Sequence, residues 1–553
     1  MKTKGKKLIA VSIVGTLLAS SVPAIPVFAD TGYADVPQES WAAKYIQDAG
    51  NYGLMKGQAE GSFGYGKTVT KAEFATILCN MLKWDSVTPS NPSFSDVTKD
   101  KWYFSYIETA LNNGAIDKTT NFSPDSAITR EEMAVMFVKA LGLSDALKYG
   151  ETSANKFTDV SSNKGYIGIA YDIGMINGVS DNSFAPTSTA KREEAAAMLT
   201  RVYEKYYGKT QFTNGYYAIS SYSQKELIKE MDAITFGWSR MANDSKGVWL
   251  NTGNEKNNEY KIPSGYEDIL NYVESNGKKA HLGVYMDNSD GVKEMLVSEE
   301  KRKAAIDAII SELTRNYEAV GKNPYSGVTI DFEGLKGSDA KQGFNAFLQG
   351  LSEQLKIKGK TLYVTVQPAL SNGVYFDGFD YKTIGNLADK VILMAHDYNP
   401  TSLDGYVGTQ WHKNAALTPI GSVYYSLKAI TDSDTGVTDK EKISLAISFS
   451  SIGWELDSAG KLLSSSPLRA STEAVYSRMM AEGTEKGFSD VYRNPYLKYT
   501  TPEGKNVFLW YENEQSVFEK VALARMFGID EISIWRLGII PNYNGYSVID
   551  SIK

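Results

Sequence analysis

The stretch Gly327-Val328-Thr329-Ile330-Asp331-Phe332-Glu333 decides the fold of the C-terminal part of this chain. Val328, Ile330 and Phe332 are apolar and alternate with Thr329, Asp331 and Glu333. That period of two is a β-strand with one greasy face and one polar face. A half-buried surface strand sends its acids to water. This one follows a long helical stretch in a series of strand–helix units, so both of its faces are expected to be covered. Asp331 and Glu333 then point into a barrel interior, roughly 7 Å apart along the strand. Two acids held together away from bulk water do not ionise together, so one keeps a proton near neutral pH. A protonated acid beside a charged one is what glycosidic bond cleavage uses.

From about Phe212 onward, strand and helix patterns alternate, which predicts a mostly parallel sheet wrapped by helices. Eight strand candidates fall at 215–220, 233–241, 279–286, 327–333, 361–370, 390–398, 443–449 and 531–537. Between the third and fourth, Ala305, Ile309, Leu313 and Tyr317 recur at helical spacing over 299–320, and a second helix is expected around 516–527. Eight such strands predict an α/β (β/α)8 TIM barrel over 212–553, with its chemistry at the C-terminal ends of the strands. Glu333 ends its strand there.

The residues at those strand ends resemble family 18 glycoside hydrolases. The family's fourth strand reads DGxDxDxE; here Ser326 to Glu333 keeps the last two acids, with Ser326 and Thr329 in place of the two earlier aspartates. Met394-Ala395-His396-Asp397-Tyr398 stands at the family's MxYD, and Trp535 matches the tryptophan that floors the sugar subsite. The family's SxGG is replaced by Leu282-Gly283-Val284-Tyr285. The pattern is closer to the bacterial cell-wall and spore-cortex N-acetylglucosaminidases than to the chitinases.

The resemblance implies substrate-assisted retention on 2-acetamido sugars, with no metal or cofactor. Glu333, neutral, protonates the departing oxygen while the sugar's own acetamido carbonyl attacks the anomeric carbon. Asp331, anionic, orients the acetamido N–H. A family tyrosine bonds the acetamido oxygen; His396, its tautomer held by Asp397, or Tyr398 takes that role here. Gln367, Met394 and Trp238 are further candidates for sugar contact. Trp411, Trp454 and Trp510 are candidates for the walls of the groove, the last two equally for burial.

The first 200 residues carry an internal repeat. Tyr33-Ala34-Asp35-Val36, Phe94-Ser95-Asp96-Val97 and Phe157-Thr158-Asp159-Val160 each open a unit, and Trp41 and Trp102 follow their aspartates by six residues. Each unit later starts a helix at Thr70-Lys71-Ala72-Glu73, Thr129-Arg130-Glu131-Glu132 or Lys191-Arg192-Glu193-Glu194, a threonine before acids being an N-cap signal. The units, placed at 33–84, 94–144 and 157–206, resemble S-layer homology (SLH) domains. That resemblance implies an all-α three-repeat bundle that holds pyruvylated secondary polymers of the Gram-positive cell wall. Lys71, Arg130 and Arg192 match the family's basic position, which meets the acidic ligand, and Trp41 and Trp102 match its tryptophan near the sugar. The third repeat departs, with Gly165 at the tryptophan position and Lys191 at the cap.

The N-terminus reads as a secretory signal peptide over 1–29: four lysines, an apolar run from Leu8, and Val27-Phe28-Ala29 before the cut. No later segment is expected to span a membrane. Removing Lys2, Lys4, Lys6 and Lys7 with the signal peptide takes the formal charge from −7 to −11, and an acidic mature chain without a basic run argues against nucleic acid. One cysteine, Cys79, excludes an intrachain disulfide, and three histidines without a paired motif argue against a transition-metal site. The expectation is a secreted, wall-attached hydrolase of β-linked N-acetylglucosamine polymers, peptidoglycan foremost and chitin or external glycans as alternatives. A surface protein whose barrel binds glycan without cutting it is the competing reading.

Overall fold

Eight parallel strands close on themselves in the computed structural model, which describes residues 32–371 and 377–553. The segment expected to be a signal peptide lies outside the described residues. The barrel strands are β1 (Phe212–Tyr217), β2 (Ala233–Asp244), β3 (Lys279–Met286), β4 (Gly327–Phe332), β5 (Thr361–Val366), β6 (Lys390–Leu393), β7 (Ile443–Ser448) and β8 (Glu531–Trp535). Each pairs with its sequence neighbours, and β1 pairs with both β2 and β8 to close the ring. All eight overlap the strands read from the sequence, although the first, expected at 215–220, lies three residues earlier. The fifth and sixth stop earlier than expected, at Val366 and Leu393, and the following residues leave the ladder to line the cleft described below.

The barrel floor is polar. Thr235 donates to Asn214 Oδ1 at 3.1 Å and lies 3.0 Å from Thr329 Oγ1; His281 Nε2 meets Thr361 Oγ1 at 2.9 Å and its ring stacks on Tyr363 at 3.8 Å. Burial pushes His281 down to about 3, so its imidazole is neutral. These short side chains satisfy one another where a purely aliphatic barrel would rely on shape alone. Apolar residues of the opposite parity, such as Val328, Ile330 and Phe332, pack outward; Phe332 contacts Phe344 and Phe347 of the helix Gly337–Ile357.

An antiparallel sheet of Glu485–Ser489, Asn494–Thr500, Asn506–Trp510 and Ile452–Leu456 is inserted between β7 and β8. It buries Trp454 and Trp510 completely, so neither walls a groove; both are core residues of the insertion. Trp411 stays exposed, stacked on Tyr406 at 4.5 Å.

The N-terminal region is helical: α1 (Ala43–Asn51), α2 (Lys71–Leu82), α3 (Phe104–Asn112), α4 (Arg130–Ala140), α5 (Leu147–Ala154), α6 (Lys164–Asp172) and α7 (Arg192–Tyr206). Thr70 and Thr129 form reciprocal capping boxes with Glu73 and Glu132. Lys191 has no acceptor to offer, and only the return half survives, Lys191 N donating to Glu194 Oε2 at 2.9 Å. Short bridges Thr70↔Ala127, Thr129↔Thr189 and Thr68↔Lys191 link each repeat to the next and the third back to the first. No repeat can bury its core alone, and the ring closes one.

The aspartate that opens each repeat is a loop staple. Asp35 accepts from the backbone N–H of Phe63, Gly64 and Tyr65; Asp96 from Phe122 and Ser123; Asp159 from Phe184 and Ala185. The bond from Phe184 foremost brings Asp159 down to about 2; at Asp35 slight burial pushes up, but the backbone bonds outweigh it and the carboxyl also falls to about 2. A carboxyl lowered on folding contributes stability above its unfolded value, near 3.8, and loses it as the pH falls towards 2. Circular dichroism melts of the full chain are expected to show the helical bundle losing stability across that window. In Asp35→Asn/Asp159→Asn the helical signal at neutral pH should already be less stable and the acid step shallower; an unchanged acid step would refute the staple.

Candidate active site

The strand alternation that buries Val328 and Ile330 outward carries Thr329, Asp331 and Glu333 inward, one above the other. Thr329 is spent on the floor network. Asp331 is 8% exposed, and its Oδ1 has no hydrogen-bond partner among the described residues. Burial first, and then the charge of Glu333, pushes Asp331 well above the ordinary carboxyl range. Glu333, at the strand's mouth, is also raised by burial; His396 partly offsets this and Asp287 adds to it. Burial thus displaces both carboxyls towards their protonated forms, and at Asp331 the neighbouring Glu333 adds to it. Asp331 lies deeper in the barrel than Glu333 and is the more fully buried of the two.

Above the acids opens a cleft of about 790 Å³, large enough for an oligosaccharide. Glu333, Asp331, Gln367, Met394, His396, Asp397, Tyr398 and Trp535 all line it. Gln367 Oε1 accepts Gly334 N at 2.6 Å, where the chain turns at φ +75°, so it also fixes the exit of β4 beside Glu333. His396 Nδ1 lies 3.0 Å from Asp397 Oδ2. Burial raises Asp397, but His396 outweighs it and leaves that carboxyl below its usual range. Tyr398 is committed elsewhere, its hydroxyl 2.7 Å from Ser426 Oγ on the helix Ile420–Ile430. Of the two candidates for the acetamido contact, His396 is the one whose charge acts on Glu333.

Trp238 is not in the cleft. It is fully buried on the outer face of β2, its ring 4.3 Å from Phe236. Thr235 points inward from the same strand, so Phe236 and Trp238 share the opposite parity. The sequence also passed over Tyr216 and Thr365, which meet across the barrel at 2.7 Å beside Asp331. Their inward parity from Asn214 and Tyr363 was the available signal. Trp535 stands edge-on to Tyr216 at 5.2 Å. Both rings also border a second compartment of about 380 Å³ with Tyr260 and Arg536. Tyr216 and Trp535 thus stand between the two cavities. Among the described residues, no group of three or more His, Cys, Asp or Glu is placed to hold a metal ion.

In the helical ring, Trp41 and Trp102 are 60% and 59% exposed, unusual for so large a ring and open to a sugar face. The basic residues each reach into the next repeat. Lys71 Nζ pairs with Glu132 at 2.6 Å; Arg130 donates to Phe184 O and Asn177 O and lies over the Phe184 ring. Arg192 donates to Phe63 O, Lys56 O and Glu73 Oε1 and is 3% exposed. Arg192, expected to meet an acidic ligand, is instead a strut that locks the third repeat onto the first.

The repeats also dock on the barrel. Lys428, on the helix Ile420–Ile430, donates to Tyr149 O at 2.8 Å and pairs with Asp172 at 3.2 Å, and Tyr424 donates to the same carboxylate. Tyr206 packs edge-on against Phe518, with Tyr207 beside it.

Comparison with known proteins places this arrangement. The model of glycosyl hydrolases family 18 matches residues 202–539, and that of the S-layer homology domain matches 32–75, 93–134 and 156–196. The Surface-layer 125 kDa protein of Lysinibacillus sphaericus is 27% identical over 278 residues, 48% of this chain and 22% of that protein. The chain spans only 10% to 49% of the length of eight curated relatives. Among solved structures, the chitinase of Chromobacterium violaceum aligns with 62% of this chain and 97% of its own, at 16% identity and TM-score 0.49. The Bacillus cereus spore cortex-lytic enzyme SleL aligns with 62% and 74%, at 18% identity and TM-score 0.47. The closed barrel, its paired acids and the family match over most of the chain make this protein a member of glycosyl hydrolase family 18, preceded by three S-layer homology domains.

Proposed function

We propose that the barrel hydrolyses β-linked N-acetylglucosamine polymers, peptidoglycan foremost, by substrate-assisted retention, while the three repeats hold the chain on the cell wall. The observation that carries this reading is the pair Asp331, on β4, and Glu333, just past its end, both lining an open cleft bordered by Trp535. The 2-acetamido N–H of a bound sugar donates to Asp331 and favours its anion, which releases the shared proton to Glu333. Glu333 then protonates the glycosidic oxygen as the acetamido carbonyl attacks the anomeric carbon, and the Asp331 anion steadies the positive charge that develops on the amide. After the leaving group departs, Glu333 takes a proton from the incoming water. His396, oriented by Asp397, donates to the acetamido oxygen. Purified peptidoglycan and chitin, each incubated with the full chain and analysed by mass spectrometry, test the reading. Fragments ending in N-acetylglucosamine are expected, and no product from either polymer would sink it.

Thr329 is the observation that favours a second reading. It bonds the floor instead of Asp331, whose Oδ1 is left without a partner, as a glycan-binding barrel without turnover would tolerate.

For anchoring, the exposed Trp41 and Trp102 rings and the Lys71 and Arg130 cations suit a sugar polymer bearing carboxylates, such as pyruvylated wall polymer. Trp41→Ala/Trp102→Ala is expected to weaken sedimentation with polymer-bearing wall by roughly 10-fold or more. Wall stripped of the polymer should bind neither form; equal binding of both forms to intact wall would exclude the tryptophans.

A further inference from the structure

The third repeat's missing tryptophan leads to the catalytic cleft. Gly165 stands where Trp41 and Trp102 stand in the other repeats, and a Cβ there would lie 2.6 Å from Leu147 O. A Cβ on Gly168 would lie 1.8 Å from Gly150 O. Side chains would therefore force α5 off α6; the glycines let the two helices touch at their backbones. The place of an outward ring is taken by an extra helix, and that helix faces the barrel. Lys428 grips its Tyr149 O, Thr152 and Ser153, and the Tyr149 hydroxyl reaches Ser371 at 3.1 Å. Tyr149 and Tyr425 rings lie 4.8 Å apart, one from the repeats and one from the barrel. Lys148 and Tyr149 both line the same cleft as Asp331 and Glu333.

We propose that Lys148 and Tyr149 of the anchoring region form an outer subsite of the catalytic cleft, suited to an N-acetylated glycan whose alternate sugars carry a carboxylate. This deepens the hydrolase reading and rests on it for the substrate class. Tyr149, half-buried and held at its hydroxyl and on its flank, presents a ring against which a pyranose can stack at small entropic cost. Lys148 is the only lysine or arginine among the described residues that line the cleft, and its exposed ammonium sits 4.7 Å from the Tyr149 ring. The same lining carries the carboxyls of Asp331, Glu333 and Asp397, so among its residues Lys148 is the one suited to an anionic substituent. A neutral N-acetylglucosamine polymer would use the ring alone; one bearing lactyl or similar carboxylates would use both residues.

The test uses the full chain. kcat/KM is measured on muropeptide-derived glycan, which carries carboxylates, and on neutral N-acetylglucosamine oligomers. Affinity for both is measured separately in a Glu333→Gln background. Tyr149→Ala is expected to weaken both substrates roughly 10-fold and Tyr149→Phe to restore most of this. Lys148→Ala should weaken only the carboxylated glycan, roughly 5-fold, and lose that selectivity in high salt. Thermal melts identify a variant that has merely lost its docking, and Lys148→Ala, at an exposed side chain, keeps the question open to measurement if Tyr149→Ala unfolds. Turnover with no effect of either residue overturns the subsite and leaves the hydrolase reading standing. Binding that depends on both residues without any turnover does the reverse. Equal losses on both glycans in Lys148→Ala overturn the carboxylate preference.

Discussion

Glu333→Gln is expected to lower kcat on peptidoglycan glycan by roughly 10²- to 10⁴-fold while leaving substrate affinity close to that of the unaltered protein. The amide keeps the shape and hydrogen bonds of the acid but cannot give its proton to a leaving oxygen. Steady-state rates together with equilibrium binding separate the two effects. Because burial raises Glu333 above 4.5, the alkaline limb of kcat in the unaltered protein should lie above the ordinary glutamate range. His396→Ala should move that limb upward, since the imidazole works against the rise. A Glu333→Gln protein with undiminished turnover would assign the acid elsewhere. A parent protein that binds but never turns over would favour the glycan-binding reading.

Asp331→Asn should separate activity from stability. Loss of the anion that steadies the amide is expected to cost roughly 10²- to 10³-fold in kcat. The fold should gain. Asp331 is raised well above its usual range by burial and has an unpartnered oxygen. A carboxyl raised on folding supports the fold while both states are protonated, and that support is lost as the pH climbs through the folded value. Asparagine carries no charge to bury. Its variant should match the parent only below the unfolded value of 3.8 and exceed it by about 1–3 kcal/mol at alkaline pH, read from denaturant melts across that range. A variant less stable than its parent at high pH would show that the buried charge is compensated after all.

The barrel was legible because its strands alternate and its helices recur. Most of β1 to β8 announce themselves by a period of two or a β-branched run, and the paired acids mark the catalytic strand. The stretch Phe212-Thr213-Asn214-Gly215-Tyr216-Tyr217 of β1 does neither, and the sequence places that strand three residues late. What stayed illegible depended on position along a third dimension. Trp238 has the composition of a sugar platform, but the inward pointing of Thr235 assigns it to the helix-facing side. Trp454 and Trp510 lie in an inserted antiparallel sheet whose short strands resemble loop sequence between longer elements. Arg192 carries the motif of its repeat, yet ring closure places it where only the first repeat's carbonyls and Glu73 can reach it. Tyr149 sits between two repeats, in a segment with no periodic signal. Only the folded contact with the barrel gives it a role.

The seam between helical ring and barrel has a mechanical consequence. Lys428 and Tyr424 hold Asp172, Tyr206 and Tyr207 press on Phe518, and the connection before β1 is short. A catalytic head on a flexible leash sweeps a hemisphere around its mooring, and its reach grows with leash length. Here the barrel is clamped to the helical ring, so the proposed attachment to the wall would set the compass bearing of the cleft as well as its address. Strands running along that bearing would be trimmed repeatedly, while equally near strands lying across it would be spared.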